Sequence, residues 1–406
     1  MHSNGFHGLG IAPVLLEVLS RNHFTVPTPI QHQCIPFAVE GKDVIGIAQT
    51  GTGKTFAFGI PMLQSLAQTK MKGLVLVPTR ELAIQVNEAL QKLAHAVSVH
   101  TTVLIGGESM GAQLRQLKTD PDVLIATPGR LIDHLERGTV RLQQANVLVL
   151  DEADRMLDMG FLPQIDTILK RLPQKRQTML FSATMPSAIV SIAARHMKLP
   201  VRVEVAPSGT APTEVSQELF FVDNQDKTRL LLKILSEVHG SVLVFTRTKF
   251  GANKLARHIR SHSSHSAVDL HSDRSQAQRR EAMEGFRIGR YRVLVATDIA
   301  ARGIDVSGIE LVVNYDLPAT GEDYVHRIGR TGRAGAVGHA ISFAMPHQRA
   351  DVRSIEQVIR TAVRVSPLPS LRGAPESRPA ERTQRQVDRP KKRTRHDRSR
   401  QRERYF

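Results

Sequence analysis

Two tandem α/β domains with parallel sheets, followed by a disordered basic C-terminal tail, are what this 406-residue sequence predicts. Three observations carry that expectation. Short apolar, β-branched runs alternate with longer helical patterns, the signature of βαβ units. Two stretches of chain repeat each other's local patterns. The last stretch is almost free of apolar residues and strongly basic.

In the first half the apolar runs fall at 44–47, 73–77, 122–126, 147–150 and 177–181. In the second they fall at 241–245, 292–296 and 310–313. Pro78-Thr79-Arg80 after one run is echoed by Thr246-Arg247 after another. Ala126-Thr127 is echoed by Ala296-Thr297 at nearly the same separation, so a duplicated domain is expected. Between the halves, Ala206-Pro207-Ser208-Gly209-Thr210-Ala211-Pro212-Thr213 is small-residue, Pro/Gly-containing linker chemistry. The expected organisation is a first domain over 1–206, a linker over 207–213, a second domain over 214–366 and a disordered tail over 367–406.

Hydrophobic residues make up 41% of the chain, enough for ordinary cores, which excludes a wholly disordered protein. Trp is absent and aromatics are 4%, which argues against a fold built on aromatic stacking. The net charge of +17 calls for a polyanionic partner. Residues 371–406 hold 13 Lys/Arg against 5 Asp/Glu, so about half of that excess sits in the tail, which reads as a non-specific polyanion tether. The one cysteine, Cys34, can form neither an internal disulfide nor a Cys-based zinc site, and reads as a small core residue in a reducing compartment. With no apolar run of about 18 residues and no leader pattern, a cytoplasmic protein without membrane association is expected.

Ala48-Gln49-Thr50-Gly51-Thr52-Gly53-Lys54-Thr55 joins an apolar run to a helical pattern. That is a P-loop in its strand–loop–helix context, with Ala48 where the generic motif opens on Gly. The glycines allow backbone N–H groups to surround phosphate, Lys54 supplies charge for the β- and γ-phosphates, and the Thr55 hydroxyl suits Mg²⁺. The run 147–150 ends in Asp151-Glu152-Ala153-Asp154. Acids at the C-terminal end of a parallel strand lie beside a P-loop, so Asp151 is expected on Mg²⁺ and Glu152 on the attacking water. In the second half, His326-Arg327-Ile328-Gly329-Arg330-Thr331-Gly332-Arg333 spaces Arg330 and Arg333 for projection into an interdomain cleft as arginine fingers.

Taken together these motifs resemble a DEAD-box RNA helicase of superfamily 2, and within it the bacterial RhlE-like subgroup, over roughly residues 5–345. The resemblance implies two RecA-like domains, an RNA-stimulated ATPase that locally unwinds or remodels RNA duplexes or ribonucleoproteins, and ATP and Mg²⁺ as cofactors. It matches Phe24-Thr25-Val26-Pro27-Thr28-Pro29-Ile30-Gln31 to the adenine-reading Q motif, with Phe6 stacking on the base. It makes Asp154, Ser182, Thr184 and His326 coupling residues, and brings Asp305 to the nucleotide in the closed state. RNA-facing positions are implied at Pro78, Thr79, Arg80, Gly107, Thr127, Pro128, Gly129 and Arg130, and at Thr246, Arg247, Gln276, Arg279 and Thr297. Such residues offer backbone donors, hydroxyls and guanidinium groups to phosphates and little to base edges, so binding independent of sequence follows. One departure is Ser272 in His271-Ser272-Asp273, where the family usually has Gly and the turn is expected to need open backbone angles.

His258, His262, His265 and His271 could suggest a metal site, but nearby Ser and Arg favour solvated helix ends and loops. Two rival functions stay open at this point: an ATP-gated RNA clamp or assembly platform that does not unwind, and a DNA translocase. Partners other than RNA, such as ribosomal or RNA-decay assemblies, are compatible with a monomeric core.

Overall fold

The computed structural model describes residues 5–49, 51–205, 215–301, 308–332 and 338–371. Thr50, Asp305, Arg333, the linker 207–213 and the tail from residue 372 onward lie outside the described residues, as does the side chain of Gln276. All the described residues belong to one compact unit.

Seven strands of the first lobe, β1 (Val44–Ile47), β2 (Lys72–Leu76), β3 (Thr101–Leu104), β4 (Val123–Ala126), β5 (Ala145–Leu150), β6 (Gln177–Ser182) and β7 (Val201–Glu204), form one sheet. Its order is β3-β4-β2-β5-β6-β1-β7. The second lobe contributes β8 (Val215–Phe221), β9 (Ser241–Phe245), β10 (Ala267–Leu270), β11 (Val293–Ala296), β12 (Ile309–Asn314), β13 (Gly338–Ala344) and β14 (Arg364–Val365). Their order is β10-β11-β9-β12-β13-β8-β14, the first sheet repeated strand for strand. The strand pairs are parallel in both. The expected α/β duplication is therefore the observed fold.

Continuous apolar runs become strands here because helices cover both faces of each sheet. Alternate residues serve opposite cores. Val75, Val147, Val149 and Phe181 pack into one cluster, and Leu74, Leu76, Leu148 and Leu150 into the other. In the second lobe Leu243 and Phe245 likewise face away from Val242 and Val244.

At equivalent places in the two lobes a threonine side chain accepts a free N–H group at the start of a helix. Thr79 Oγ1 accepts from Leu82 N (3.2 Å) at the head of the helix Arg80–Ala94, and Thr248 Oγ1 accepts from Gly251 N (3.0 Å) at the head of Lys249–His262. This corrects the sequence pairing. Strands β2 and β9 end at Leu76 and Phe245, so the counterpart of Thr79 is Thr248, and Thr246-Arg247 lie two residues earlier. Of the tail expected from residue 367, Leu371 packs against the second lobe's core. Among the described residues no helix is long and apolar enough to cross a membrane.

Candidate active site and nucleic-acid interface

Sheet order sorts the motifs into two neighbourhoods. Strands β5, β6 and β1 are adjacent, and their C-terminal ends carry Asp151-Glu152, Ser182-Ala183-Thr184 and the P-loop. Strands β3, β4 and β2 are also adjacent, and lead into Gly106-Gly107, Thr127–Arg130 and Pro78–Arg80. The second lobe repeats the latter arrangement, with Arg247 after β9, His271-Ser272-Asp273 after β10 and Thr297 after β11. Ligands of parallel α/β sheets bind at these C-terminal ends.

In the P-loop, Gly51 (φ +84°) and Gly53 (φ +89°) are left-handed, as the turn into the helix Lys54–Thr69 requires. Ala48 is buried, its N–H donating to Ser182 O (3.0 Å) and its carbonyl accepting from Lys54 Nζ (2.9 Å). Thr52 Oγ1 donates to Gln49 O at 2.7 Å, closing the loop on itself. Thr55 is half-buried on the first helical turn, whose N–H groups have no intrahelical acceptor.

The Q motif lies directly against this loop. Gln31 Nε2 donates to Gly53 O (2.9 Å) while its Oε1 accepts from Thr28 N (3.0 Å), so one buried amide ties the two segments together. A Cβ on Gly53 would stand 2.5 Å from Gln31 Nε2 and 3.0 Å from Thr28 Oγ1, which leaves glycine as the residue that fits. Phe24 meets Phe56 edge to face at 4.8 Å. Phe6 is packed among Leu9, Ile11 and Leu15 in the first lobe's core.

Asp151 and Glu152 close β5 in full burial. Burial pushes the Asp151 carboxyl up to about 7, against the pull of Lys54. Glu152 shares the burial, but the cations of Arg155, Lys54 and Arg330 outweigh it and hold its carboxyl below the ordinary value. Its backbone is left-handed (φ +53°), the kind of strain that persists when surroundings enforce it. Glu152 Oε2 accepts from Arg155 Nη1 at 2.6 Å, with the side chains 4% and 1% exposed. Glu152 Oε1 is buried without a hydrogen-bond partner among the described residues.

Asp154 gathers the segment after β6. Its Oδ2 accepts from Ala183 N (3.1 Å), Thr184 N (2.8 Å) and Thr184 Oγ1 (3.0 Å), and Ser182 Oγ accepts from Asp154 N (3.1 Å). Three of the expected coupling residues thus form one cluster. The fourth, His326 of the second lobe, takes a hydrogen bond on Nδ1 from Arg155 Nε (3.0 Å), with Nε2 3.9 Å from Asp154 Oδ2. Burial, then the neighbouring Arg155 cation, drives its imidazole well below the ordinary value. Arg330 is buried beside it, Nε donating to His326 O (3.2 Å). Arg155 was missed from sequence, although a cation three residues after Glu152 on a helical start is a readable signal. So was Arg327, whose guanidinium grips both oxygens of Asp298 (2.6 and 2.7 Å).

On the other neighbourhood, Arg80 lies over Gly106-Gly107. A Cβ on Gly107, itself at φ +77°, would overlap Arg80 Nη1. Arg130 Nε donates to Gln113 Oε1 (3.0 Å) and Nη2 to Glu108 O (2.8 Å). Gly107, Gly129 and Arg247 are exposed, Thr297 is half-buried, and Pro78, Thr79, Thr127, Pro128 and Thr246 are buried at the strand ends. Arg279, expected to face RNA, has a protein partner. It crosses between the lobes, Nε donating to Glu81 Oε1 at 2.7 Å, and Arg280 does the same to Glu108 Oε1 at 2.7 Å. Ser272 also differs: its backbone is not left-handed, so a side chain is accommodated. His271 is not solvated either; it is buried with Nε2 2.8 Å from Asp269 Oδ2. Cys34 is fully buried, its thiol pushed up to about 12.

A P-loop, an acidic strand end and basic residues from a second copy of the same fold define a two-lobed nucleotide hydrolase. Residues 28–192 match the DEAD/DEAH box helicase family and 226–335 the helicase conserved C-terminal domain. The chain is 43% identical over 366 residues to the ATP-dependent RNA helicase CshA of Listeria monocytogenes, covering 89% of this chain and 70% of that one. It is 42% identical over 369 residues to the ATP-dependent rRNA helicase RRP3 of Debaryomyces hansenii, covering 90% and 77%. Saccharomyces cerevisiae Dbp5 bound to RNA and ADP BeF3 superimposes with a TM-score of 0.80 at 31% identity, over 89% of this chain and 95% of that one. Mss116p bound to ssRNA and AMP-PNP gives 0.82 at 27% identity, over 89% and 78%. The chain belongs to the DEAD-box ATP-dependent RNA helicases. The RhlE-like subgroup finds no support among these relatives.

Proposed function

We propose that the chain couples ATP hydrolysis to local remodelling of RNA by closing its two lobes over both ligands. The observation that carries this is the contact of Arg155 with His326, which joins the acidic strand end of one lobe to the basic helix of the other. An ATPase site completed by the second lobe is one that anything bridging the lobes can switch.

The residues present suit ATP with Mg²⁺. Among the described residues Glu152 Oε1 has no hydrogen-bond partner and Lys54 Nζ donates to a carbonyl of its own loop, and Thr55 and Asp151 are oxygen donors of the hard kind. Bound there, Mg²⁺ would neutralise charge on the phosphates. Gln31 recognises the adenine edge with Phe24 nearby, while Phe6, expected to stack on the base, is covered by the core it packs into. Lys54 holds the β- and γ-phosphates. Glu152 orients water and takes its proton as the water oxygen attacks the γ-phosphorus and the bond to ADP breaks. Arg330, with Arg333, balances the charge that develops. Asp154, bound to Thr184 and facing His326, relays the state of the site to the lobe contact.

The RNA backbone runs over the β3-β4-β2 ends of one lobe and their counterparts in the other, touching Arg80, Gly107, Arg130 and Arg247. RNA assemblies, including ribosomal ones by likeness to RRP3, are the proposed targets, and a monomeric cytoplasmic core is the proposed form. Duplex release measured beside RNA-stimulated ATPase tests the reading. Stimulation by RNA with release of a short duplex is expected; stimulation without release makes the protein a clamp, and equal stimulation by DNA makes it a translocase.

A further inference from the structure

Gln113 is a buried polar side chain that no motif uses. It lies on the helix Met110–Leu117, is 1% exposed, and has both ends of its amide hydrogen-bonded. Nε2 donates to Ile105 O (2.8 Å), the carbonyl directly before Gly106-Gly107. Oε1 faces two donors: Arg130 Nε at 3.0 Å and His134 Nε2 at 3.0 Å. His134 is 0% exposed and its Nδ1 stands 2.8 Å from Thr139 Oγ1.

Proton counting fixes the Gln113 end of this network. An amide oxygen only accepts, so His134 carries a proton on Nε2 and donates it to Gln113, while the Thr139 hydroxyl faces two acceptors, His134 Nδ1 (2.8 Å) and the His134 carbonyl (3.0 Å). Burial, then the Arg130 cation, lowers the His134 imidazole below its ordinary value, in keeping with that neutral tautomer. Whichever acceptor the hydroxyl serves, the bonds Gln113 makes to Ile105, Arg130 and His134 are the same, and a buried set of bonds with one arrangement is rigid.

Rigidity matters for what remains of Arg130. Nε is taken by Gln113 and Nη2 by Glu108 O (2.8 Å), while among the described residues Nη1 has only Asp133 Oδ2 at 3.8 Å, beyond hydrogen-bond reach. The guanidinium is thus held on two edges with one amino group uncommitted. The loop it grips, through Glu108, is the loop that Gln113 also holds through Ile105 and over which Arg80 lies.

We propose that Gln113, backed by His134, is a positioning residue for RNA binding: it orients Arg130 and the Gly106-Gly107 loop together so that Arg80 and Arg130 meet neighbouring phosphates as one surface. The proposal rests on the reading that Arg130 contacts RNA. Preorganisation of this kind acts on affinity by removing the cost of ordering the side chain on binding.

The test is a double-mutant cycle in the full-length protein, read as KM for a single-stranded RNA and kcat in the ATPase reaction. Gln113→Met keeps the volume and removes both hydrogen-bonding roles. The expected result is an RNA KM raised roughly threefold to tenfold, with kcat at saturating RNA and the ATPase without RNA unchanged. In an Arg130→Ala background the same change should do nothing further. If Gln113→Met does not fold, Gln113→Asn retracts the amide while keeping the pocket polar, and the same KM shift is expected. An unchanged KM in either variant, or a full additional loss on top of Arg130→Ala, overturns the proposal. An Arg130→Ala protein with normal RNA KM overturns the RNA-contact reading beneath it, and the positioning role with it.

Discussion

Arg155 of the first lobe holds His326 of the second: its Nε donates to His326 Nδ1 at 3.0 Å, while Nη1 of the same guanidinium donates to Glu152 Oε2 at 2.6 Å. One buried cation therefore joins the proposed general base to the lobe contact. Because Nδ1 accepts, His326 is neutral with its proton on Nε2, the side turned toward Asp154.

Arg155→Met should uncouple these groups. Removing one partner of a buried pair costs about 3–5 kcal/mol, so a clear fall in thermal stability is expected. Glu152 would lose the largest of the influences that hold its carboxyl down, leaving burial to raise it. The acid limb of the kcat–pH profile should move to higher pH, with kcat at neutral pH down by about tenfold or more. A profile that stays in place would show that Arg155 does not govern Glu152.

Glu152→Gln keeps the shape and the contact with Arg155 while removing the base. It should bind ATP and RNA nearly as well as the native protein and lose about 10²–10⁴ of turnover. Equilibrium binding measured beside ATPase separates the two effects, and normal turnover would remove Glu152 from the role.

Much of this was legible from residues alone, for a physical reason. Strands buried on both faces must be continuously apolar, so β2, β4, β5 and β9 announce themselves, and glycines and acids at strand ends mark phosphate chemistry. The strands not anticipated, such as β3 with alternating half-buried residues and the edge strand β7, lack that continuous run. The Arg279–Glu81 contact was not legible because a cation facing RNA and one facing an acid of the other lobe look alike in sequence; only the fold brings Glu81 within 2.7 Å. Gln113 was invisible for the same reason, its partners lying 8, 17 and 21 residues away.

The Glu81–Arg279 pair should support closure. Both side chains are largely buried, at 14% and 12% exposure, so each charge left alone is poorly solvated. Glu81→Arg should weaken RNA-stimulated ATPase about tenfold by placing two cations together, and adding Arg279→Glu should restore a substantial part of it. Restoration by the reversed pair distinguishes a lobe contact from two separate RNA contacts, for which the double variant would be worse than either single one.

Gly107→Ala addresses the RNA face without touching charge. The new methyl group would occupy the space of Arg80 Nη1, at a left-handed position that already disfavours a side chain. Displacing Arg80 should raise the RNA KM about tenfold and flatten the salt dependence of binding by about one phosphate contact, with the RNA-free ATPase unchanged. A salt slope equal to the native one would mean that Arg80 does not meet phosphate.

Stability should fall on acidification through a window set by the buried histidines. His134 and His326 both have folded values below the ordinary 6.5, burial being the leading cause in each. Above pH 6.5 both are neutral folded or unfolded, and pH has no hold on stability through them. Below it the unfolded chain takes up protons that the folded protein refuses, so unfolding becomes easier as pH drops. Each such group adds up to about 1.4 kcal/mol per pH unit until its own folded value is reached. His196, His258 and His265 are lowered too, so a single melting curve would not apportion the slope. Comparing the native protein with His134→Gln between pH 8 and pH 5 isolates one group. The variant should lose stability on acidification less steeply, by about one proton's worth, because a residue that cannot be protonated has replaced one whose unfolded form can. Parallel curves would mean that His134 takes up its proton equally in both states, and that its network with Gln113 and Thr139 does not exclude charge.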